Sequence, residues 1–435
     1  MKCIGIMTGN SLDAIYVVLT EFNNSSITDI CTHSKDIPLT LAEKFRQLKK
    51  QLTTNNGDIE QIYQINSDNF TKLHDEYVNL IAIAVNELME KSKLSKSEIS
   101  AVGFHGQTCH HFPPSIAGKD NEPSTLQIGS GQMLANLINM PVVFDFRSDD
   151  IMNGGEGAPL APIHNAHIAE SLKSQGIFPV AFCNGGNTGN IAIISKDINT
   201  QETKTIGWDV GPFNHFVDYL ARTETNIPYD KDGKIALSGK INYELLDKLF
   251  SSSVQTNNNH NFLLQTPPKS SDPAWYKIIP ELTDKNIPLA DRMHTAACFS
   301  AQIFVHTLNF IPFYVERPKY FLLFGGGWNN PVIKKYFEDL ISQKLKLIPR
   351  ISNAIKGFDI SEIVVDFVDK YGYSGKYMEA RIFADLAKCY LEKQPFTSPE
   401  TTGCNKAVVC GQIAYPQGTN THLWSRAAKG WSKKT

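Results

Sequence analysis

Apolar and β-branched residues run almost unbroken through positions 2–7 (KCIGIM) and 14–22 (AIYVVLTEF), and the polar stretch TGNSLD lies between them. Two such runs around a turn of Gly, Asn, Ser and Asp predict a β-hairpin. A second copy follows at 179–183 (PVAFC) and 190–194 (NIAII), flanking the turn NGGNTG at 184–189. Helical spacing with polar faces marks 41–52 and 65–94, ahead of a strand over 99–104. The alternation repeats after the second hairpin, with helices expected over 213–223, 243–251 and 291–309. A buried strand over 320–324 then ends in three glycines. This repeated order predicts an α/β chain of two related lobes facing each other across a cleft. Residues 1–150, with 401–435 returning to them, are expected to form one lobe, and 151–400 the other. The asparagine-rich stretch 255–261 has no periodicity and reads as a surface loop.

Composition narrows the function. The chain has 435 residues, 42% hydrophobic and 20% charged, so it has enough apolar surface for more than one folded domain. Lys plus Arg is 42 against 44 for Asp plus Glu, a net charge of -2, which leaves no excess for a nucleic-acid partner. No stretch approaches the roughly 20 apolar residues of a membrane helix, and no membrane partner is expected. The eight cysteines, at 3, 31, 109, 183, 298, 389, 404 and 410, form no Cys-x-x-Cys pair. Their scatter argues against a disulfide framework or a zinc ribbon and fits a reducing cytoplasm.

The first turn, Gly9-Asn10-Ser11-Leu12-Asp13, joins two strands and lacks the Gly-Lys-Ser/Thr of a Walker motif. Its backbone N–H groups can still cradle an anion, Ser11 can donate to a phosphate oxygen, and Asp13 can hold Mg²⁺ through water. An ordinary polar turn is the alternative. The second turn, with Gly185 and Gly186, and a third, Gly325-Gly326-Gly327-Trp-Asn-Asn330, together favour a nucleotide. Asp209, in Gly207-Trp-Asp-Val-Gly-Pro212, suits a general base, or alternatively the cap of a helix starting near Pro212. Arg147, in Asp145-Phe-Arg147, suits a bidentate carboxylate clamp or a surface ion pair. His105, Cys109, His110 and His111 offer metal-ligand chemistry, but near neighbours in sequence converge poorly on one ion and no helical His-x-x-x-His frame is present. His105 is expected instead to end a strand near the cleft.

The ordered set Phe104-His-Gly-Gln-Thr108, Thr125-Leu-Gln-Ile-Gly129, Asp145-Phe-Arg147, Gly157-Ala-Pro-Leu160, Gly207-Trp-Asp-Val-Gly-Pro212, Pro267-Pro-Lys-Ser270 and Gly325-Gly-Gly-Trp-Asn-Asn-Pro331 resembles the anhydro-N-acetylmuramic acid kinase family. The resemblance runs from Gly5 to Cys404. It implies a two-lobed actin-like ATPase fold with ribonuclease H-like halves. It also implies ATP- and Mg²⁺-dependent opening of 1,6-anhydro-N-acetylmuramic acid, with phosphorylation at O6, in peptidoglycan recycling. On that basis Asp209 is the expected base that activates water. Arg147 is expected at the lactyl carboxylate, Glu379 at sugar hydroxyls, and His105 on the substrate side. Gly9, Asn10, Ser11, Leu12, Asp13, Gly185, Gly186, Gly325, Gly326, Gly327 and Asn330 are expected at ATP. The expected partners are the anhydrosugar and ATP, with a homodimer left open.

Departures from the family pattern concentrate in the phosphate turns. Asn10, Ala14 and Tyr16 stand where a threonine, a glycine and an aspartate are usual, and Glu156 stands for a glutamine. A Cβ at Ala14 would penalise any positive φ there. The spacing around Gly185 and Gly186 also differs. These changes bear on nucleotide affinity more than on sugar identity. They motivate two alternatives: a catalytically weakened sugar- or nucleotide-binding sensor, and a conventional sugar kinase.

Overall fold

The computed structural model describes residues 1–23, 26–55, 57–256, 258–345, 353–420 and 422–429. They form two compact units. One comprises Met1–Pro114, Asn121–Ser171 and Tyr377–Thr435, and the other Ser115–Asp120 and Leu172–Lys376. The exchanges therefore fall near 171 and 377, where the sequence suggested 150 and 401. Tertiary contacts move them: helix Met378–Glu392 packs on the first unit's sheet, and His164 of helix Pro162–Lys173 hydrogen-bonds to Asp385 of that helix.

Thirteen strands are described. They are β1 (Lys2–Thr8), β2 (Ala14–Asn23), β3 (Ser26–Asp36), β4 (Ala101–Phe104), β5 (Gln107–Phe112), β6 (Ser124–Ile128), β7 (Val142–Phe144), β8 (Val180–Gly185), β9 (Thr188–Lys196), β10 (Thr203–Pro212), β11 (Tyr320–Phe324), β12 (Val364–Phe367) and β13 (Gln412–Ala414). The first unit has a six-stranded sheet in the order β13-β7-β4-β1-β2-β3 and a separate β5-β6 ribbon. The second has a five-stranded sheet ordered β10-β9-β8-β11-β12. In each, three consecutive strands pair antiparallel, and two later strands add in parallel beyond the first of them. One ribonuclease H-like topology thus occurs twice, as the two-lobed actin-like ATPase fold requires.

Alternation in β1 and β2 places Ile4, Ile6, Val17 and Leu19 in a core with Tyr77, Ile81, Val85 and Leu88 of helix Ser67–Ser92. On the other face, helix Met378–Glu392 approaches backbone to backbone. A Cβ at Gly5 or Gly103 would collide with the carbonyls of Ala380 and Phe383, so this contact demands glycine. Helices expected at 41–52, 65–94, 243–251 and 291–309 appear as Leu39–Thr54, Ser67–Ser92, Tyr243–Ser252 and Leu289–Thr307. The expected strand over 320–324 is β11. No helix among the described residues is long and apolar enough to cross a membrane.

One expectation is corrected here. The helix placed near Pro212 begins at His215, and Gly207–Pro212 closes strand β10. Trp208 and Val210 are buried, and pairing with β9 extends the second hairpin to a third strand. Asp209 therefore caps no helix.

Candidate active site

In the second unit, the candidate residues lie on and around β8, β9 and β10. The hairpin turn is two residues, Gly186 and Asn187, whose carbonyls accept from the N–H groups of Asn214 (3.1 Å) and Phe213 (2.9 Å). These bonds tie the turn to the start of helix His215–Thr225. Asp209 pairs across the strands with Asn190, at the base of the same hairpin, and the register shifts between Asp209 and Gly211. Such bulges re-aim side chains and are enriched beside active sites. Asp209 is 5% exposed. Its Oδ2 accepts from Ser270 Oγ at 2.7 Å and from the Ser271 N–H at 2.9 Å, and its own N–H donates to Lys269 O at 3.0 Å. Two donors on one oxygen fix the orientation of the carboxylate.

Around it lie groups that the sequence reading did not single out. Lys269 is buried, donates to Phe262 O at 3.0 Å and stacks over the Phe262 and Phe310 rings at 4.7 and 4.6 Å. Burial pulls its ammonium down to about 7, with the Asp209 charge opposing. Tyr276 OH shares hydrogen bonds with Thr188 Oγ1 (2.7 Å) and Ser271 Oγ (2.8 Å), linking the turn to the segment that holds Asp209. The only sequence signal for these contacts was the Pro267-Pro-Lys-Ser270 motif.

The glycine turn after β11 packs against this hairpin. A Cβ at Gly325 would meet Asn184 Oδ1 at 2.6 Å, and one at Gly327 would meet Phe213 at 2.7 Å, whereas Gly326 faces open space. Asn330 has a local role, because its Oδ1 accepts from Val332 N at 3.0 Å and caps helix Pro331–Ile341.

In the first unit, the turn Gly9–Asp13 presents side chains. Asn10, Ser11 and Asp13 are exposed. Ser11 Oγ donates to Asp13 Oδ1, and Tyr16 OH donates to Asp13 Oδ2 at 2.7 Å. Lys49 Nζ donates to Asn10 Oδ1 at 2.9 Å. An exposed carboxylate held by two hydroxyls offers the hard oxygen donors that suit Mg²⁺ bound through water. The Leu12 side chain is in the core, 3% exposed, and its backbone takes the left-handed conformation at φ 57°. Ala14 lies in β2 opposite Asp36, so the expected Cβ penalty falls on Leu12 instead.

Arg147 and His105 are brought together. Arg147 Nε donates to His105 Nε2 at 3.0 Å, and its NH1 donates to Gly157 O at 2.7 Å. Burial, and then the Arg147 charge, push His105 well below the usual histidine range, so it stays neutral and accepts. His105 is 3% exposed and packs on Phe383 at 4.6 Å, which makes it a support for Arg147 rather than a surface ligand. The loop bearing Arg147 is pinned by the C-terminal segment. Arg426 donates to Asp145 at 2.6 Å and to Asp149 at 2.8 Å, and Thr402 Oγ1 donates to Asp150 at 2.7 Å. Burial, and then the hydrogen bond to Asp13, push the Tyr16 phenol up, and Glu379, in the first turn of helix Met378–Glu392, lies near enough for its charge to add to the shift. The histidines of 105–111 and Cys109 form no metal-ligand set among the described residues.

A family model described as anhydro-N-acetylmuramic acid kinase matches residues 1–416. The anhydro-N-acetylmuramic acid kinase of Zymomonas mobilis subsp. mobilis is 31% identical over 423 residues, covering 95% of this chain and 100% of that one. The Methylorubrum populi protein of the same name is 30% identical, covering 95% and 99%. The one from Vibrio vulnificus (strain YJ016) is 29% identical, covering 95% and 98%.

Proposed function

Because this chain belongs to the anhydro-N-acetylmuramic acid kinase family, we infer that it is an ATP-dependent kinase that opens 1,6-anhydro-N-acetylmuramic acid and phosphorylates O6, yielding N-acetylmuramic acid 6-phosphate. The observation that carries the assignment of roles is Asp209, an oriented and nearly buried carboxylate at the base of a glycine hairpin. Asp209 takes the proton of a water that attacks the anomeric carbon. The bond from that carbon to O6 breaks, and O6 becomes the acceptor of the phosphoryl group.

Arg147, fixed by His105 and Gly157, is positioned for the lactyl carboxylate, and Glu379 for sugar hydroxyls. The turns at Gly9–Asp13, Gly185–Gly186 and Gly325–Gly327 are assigned to ATP, with Asp13 holding Mg²⁺ through water. When bound, ATP supplies the phosphoryl group and Mg²⁺ offsets its charge. We assign the work to peptidoglycan recycling in the cytoplasm; eight cysteines without a disulfide support a reducing compartment.

The test is ADP release with 1,6-anhydro-N-acetylmuramic acid, N-acetylmuramic acid, N-acetylglucosamine and glucose side by side, in ¹⁸O-labelled water. Turnover should require the anhydrosugar and place label at C1. Phosphorylation of a sugar with a free hydroxyl and no label at C1 would instead establish a conventional sugar kinase. Binding of ligands without turnover on any of the four would establish a sensor.

A further inference from the structure

Helix Pro162–Lys173 carries His164 and His167 three positions apart, and helix Met378–Glu392 carries Asp385 and Cys389 four positions apart. Each spacing puts its pair on one face of its helix. Folding brings these faces together. His164 Nδ1 and His167 Nδ1 both lie 2.8 Å from Asp385 Oδ2, and Cys389 Sγ lies 3.9 Å from Asp385 Oδ1. One donor atom each from His167, Asp385 and Cys389 falls within 4.8 Å of the other two. Asp385 and Cys389 are fully buried, whereas a quarter of the His167 side chain is exposed. The cluster is thus dry on one side and reaches solvent on the other. None of its members has a part in the reaction above.

We propose that His167, Asp385 and Cys389 form a binding site for a zinc-class divalent cation, with water in the fourth position, that ties the two helices together. Imidazole nitrogen, carboxylate oxygen and thiolate sulfur are the donors that Zn²⁺ takes, and three protein ligands with one open position is a set it uses. The sulfur separates this site from one for Mg²⁺ or Ca²⁺, which take oxygen. Bonds of about 2.0–2.3 Å hold tetrahedral donors roughly 3.3–3.7 Å apart. His167 Nδ1, 2.8 Å from Asp385 Oδ2, needs to draw back slightly, and Cys389 Sγ, 3.9 Å from the other oxygen, Oδ1, needs to move closer to the carboxylate.

The surrounding hydrogen bonds accommodate the change. Gln394 Nε2 lies 3.2 Å from His167 Nε2, and Gln394 Oε1 lies 3.7 Å from Cys389 Sγ. On cation binding Cys389 loses its proton, and the proton on His167 moves to Nε2, so one proton is released in all. Donor and acceptor exchange places at both contacts, and a flip of the Gln394 amide satisfies both at once. His164 keeps its N–H on Asp385 and orients that carboxylate. The aspartate and thiolate charges are then neutralised by the cation in a setting where unpaired charge is costly.

The test uses the full chain, stripped by a chelator and titrated with Co²⁺. A near-ultraviolet thiolate-to-cobalt band should saturate at one equivalent and disappear on adding Zn²⁺. Cys389→Ser should abolish it. Gln394→Ala should keep the band but weaken Zn²⁺ binding about 10–100-fold, the range for residues that support a ligand. If circular dichroism shows Cys389→Ser unfolded, His167→Gln, at the solvent edge, replaces it. No saturable band in the wild type, or a band that persists in the folded variant, overturns the proposal.

Discussion

The turn at Gly9–Asp13 exposes its polar side chains, which bond to one another and to Lys49. The turn at Gly186–Asn187 instead spends its carbonyls on the N–H groups of Phe213 and Asn214, and beneath it Gly185 is packed under Phe213 and Trp328. Both join the first two strands of the same topology. The first is therefore free to vary in chemistry while the strands beneath it stay as they are. The second is a structural joint, with a catalytic group assigned to the strand that continues it. Of the departures from the family pattern, Asn10 falls in the first turn, and Ala14 and Tyr16 fall in the strand that leaves it.

Four measurements break or sharpen this contrast. The largest effect is expected from Asp209→Asn, with ADP release falling by about 10²–10⁴-fold. The asparagine carbonyl can still accept from Ser270 and Ser271, so the melting temperature should hold. A folded variant retaining more than about a tenth of wild-type turnover would reduce this strand to packing alone, given the magnitude expected of a general base.

Next comes Lys269→Met, beneath Asp209. Burial lowers the Lys269 pKa to about 7. Between there and the roughly 10.4 of an unfolded lysine, the unfolded chain holds the extra proton, so this residue opposes folding less as pH rises. Below 7 the buried ammonium carries its full penalty. The stability of Lys269→Met relative to wild type should be highest at pH 6 and lower at pH 9, by roughly 2–3 kcal/mol at 1.36 kcal/mol per pH unit. Denaturant melts at both pH values measure it, and a gap that ignores pH refutes the assignment.

The third measurement sets one hairpin directly against the other. At Gly185→Ala the new Cβ meets Trp328 at 2.6 Å, and overpacking of this kind costs about 1–3 kcal/mol. Ser11→Ala, on the exposed turn, should change stability by no more than about 0.5 kcal/mol. Equal losses in urea melts would erase the distinction. The smallest effect is expected from Ala14→Gly, which restores the family residue. Because Ala14 is a paired strand residue, the glycine should destabilise by roughly 0.5–1 kcal/mol and leave ATP affinity unchanged in calorimetry. A gain in ATP affinity would show that the turn needs glycine after all.

Sequence patterns made the two hairpins legible, because alternation and turn chemistry are local. The same holds for β11, a run of five apolar or aromatic residues ending in glycines. Strand β10 escaped notice because its glycines and Pro212 read as the approach to a helix, and only pairing with β9 makes Gly207–Pro212 a strand. Leu12 is expected at ATP as part of a turn whose backbone cradles an anion, and only the fold shows that its side chain enters the core while its backbone takes a left-handed conformation. The histidine run at 105–111 drew attention by its density. The pair His164 and His167 did not, since its partners lie on a distant helix.

What the sequence by itself determined is the local plan: strand, turn, strand, and an ordered set of motifs that identifies the family. Period-2 burial and glycine turns depend on neighbours a few residues away, so they can be read along the chain. Tertiary structure alone decided which groups act on one another. His105 supports Arg147 across 42 residues, Ser270 holds Asp209 across 61, and His164 meets Asp385 across 221. A hydrogen bond depends on distances of about 3 Å that only the folded packing sets, and no periodicity in the chain encodes them.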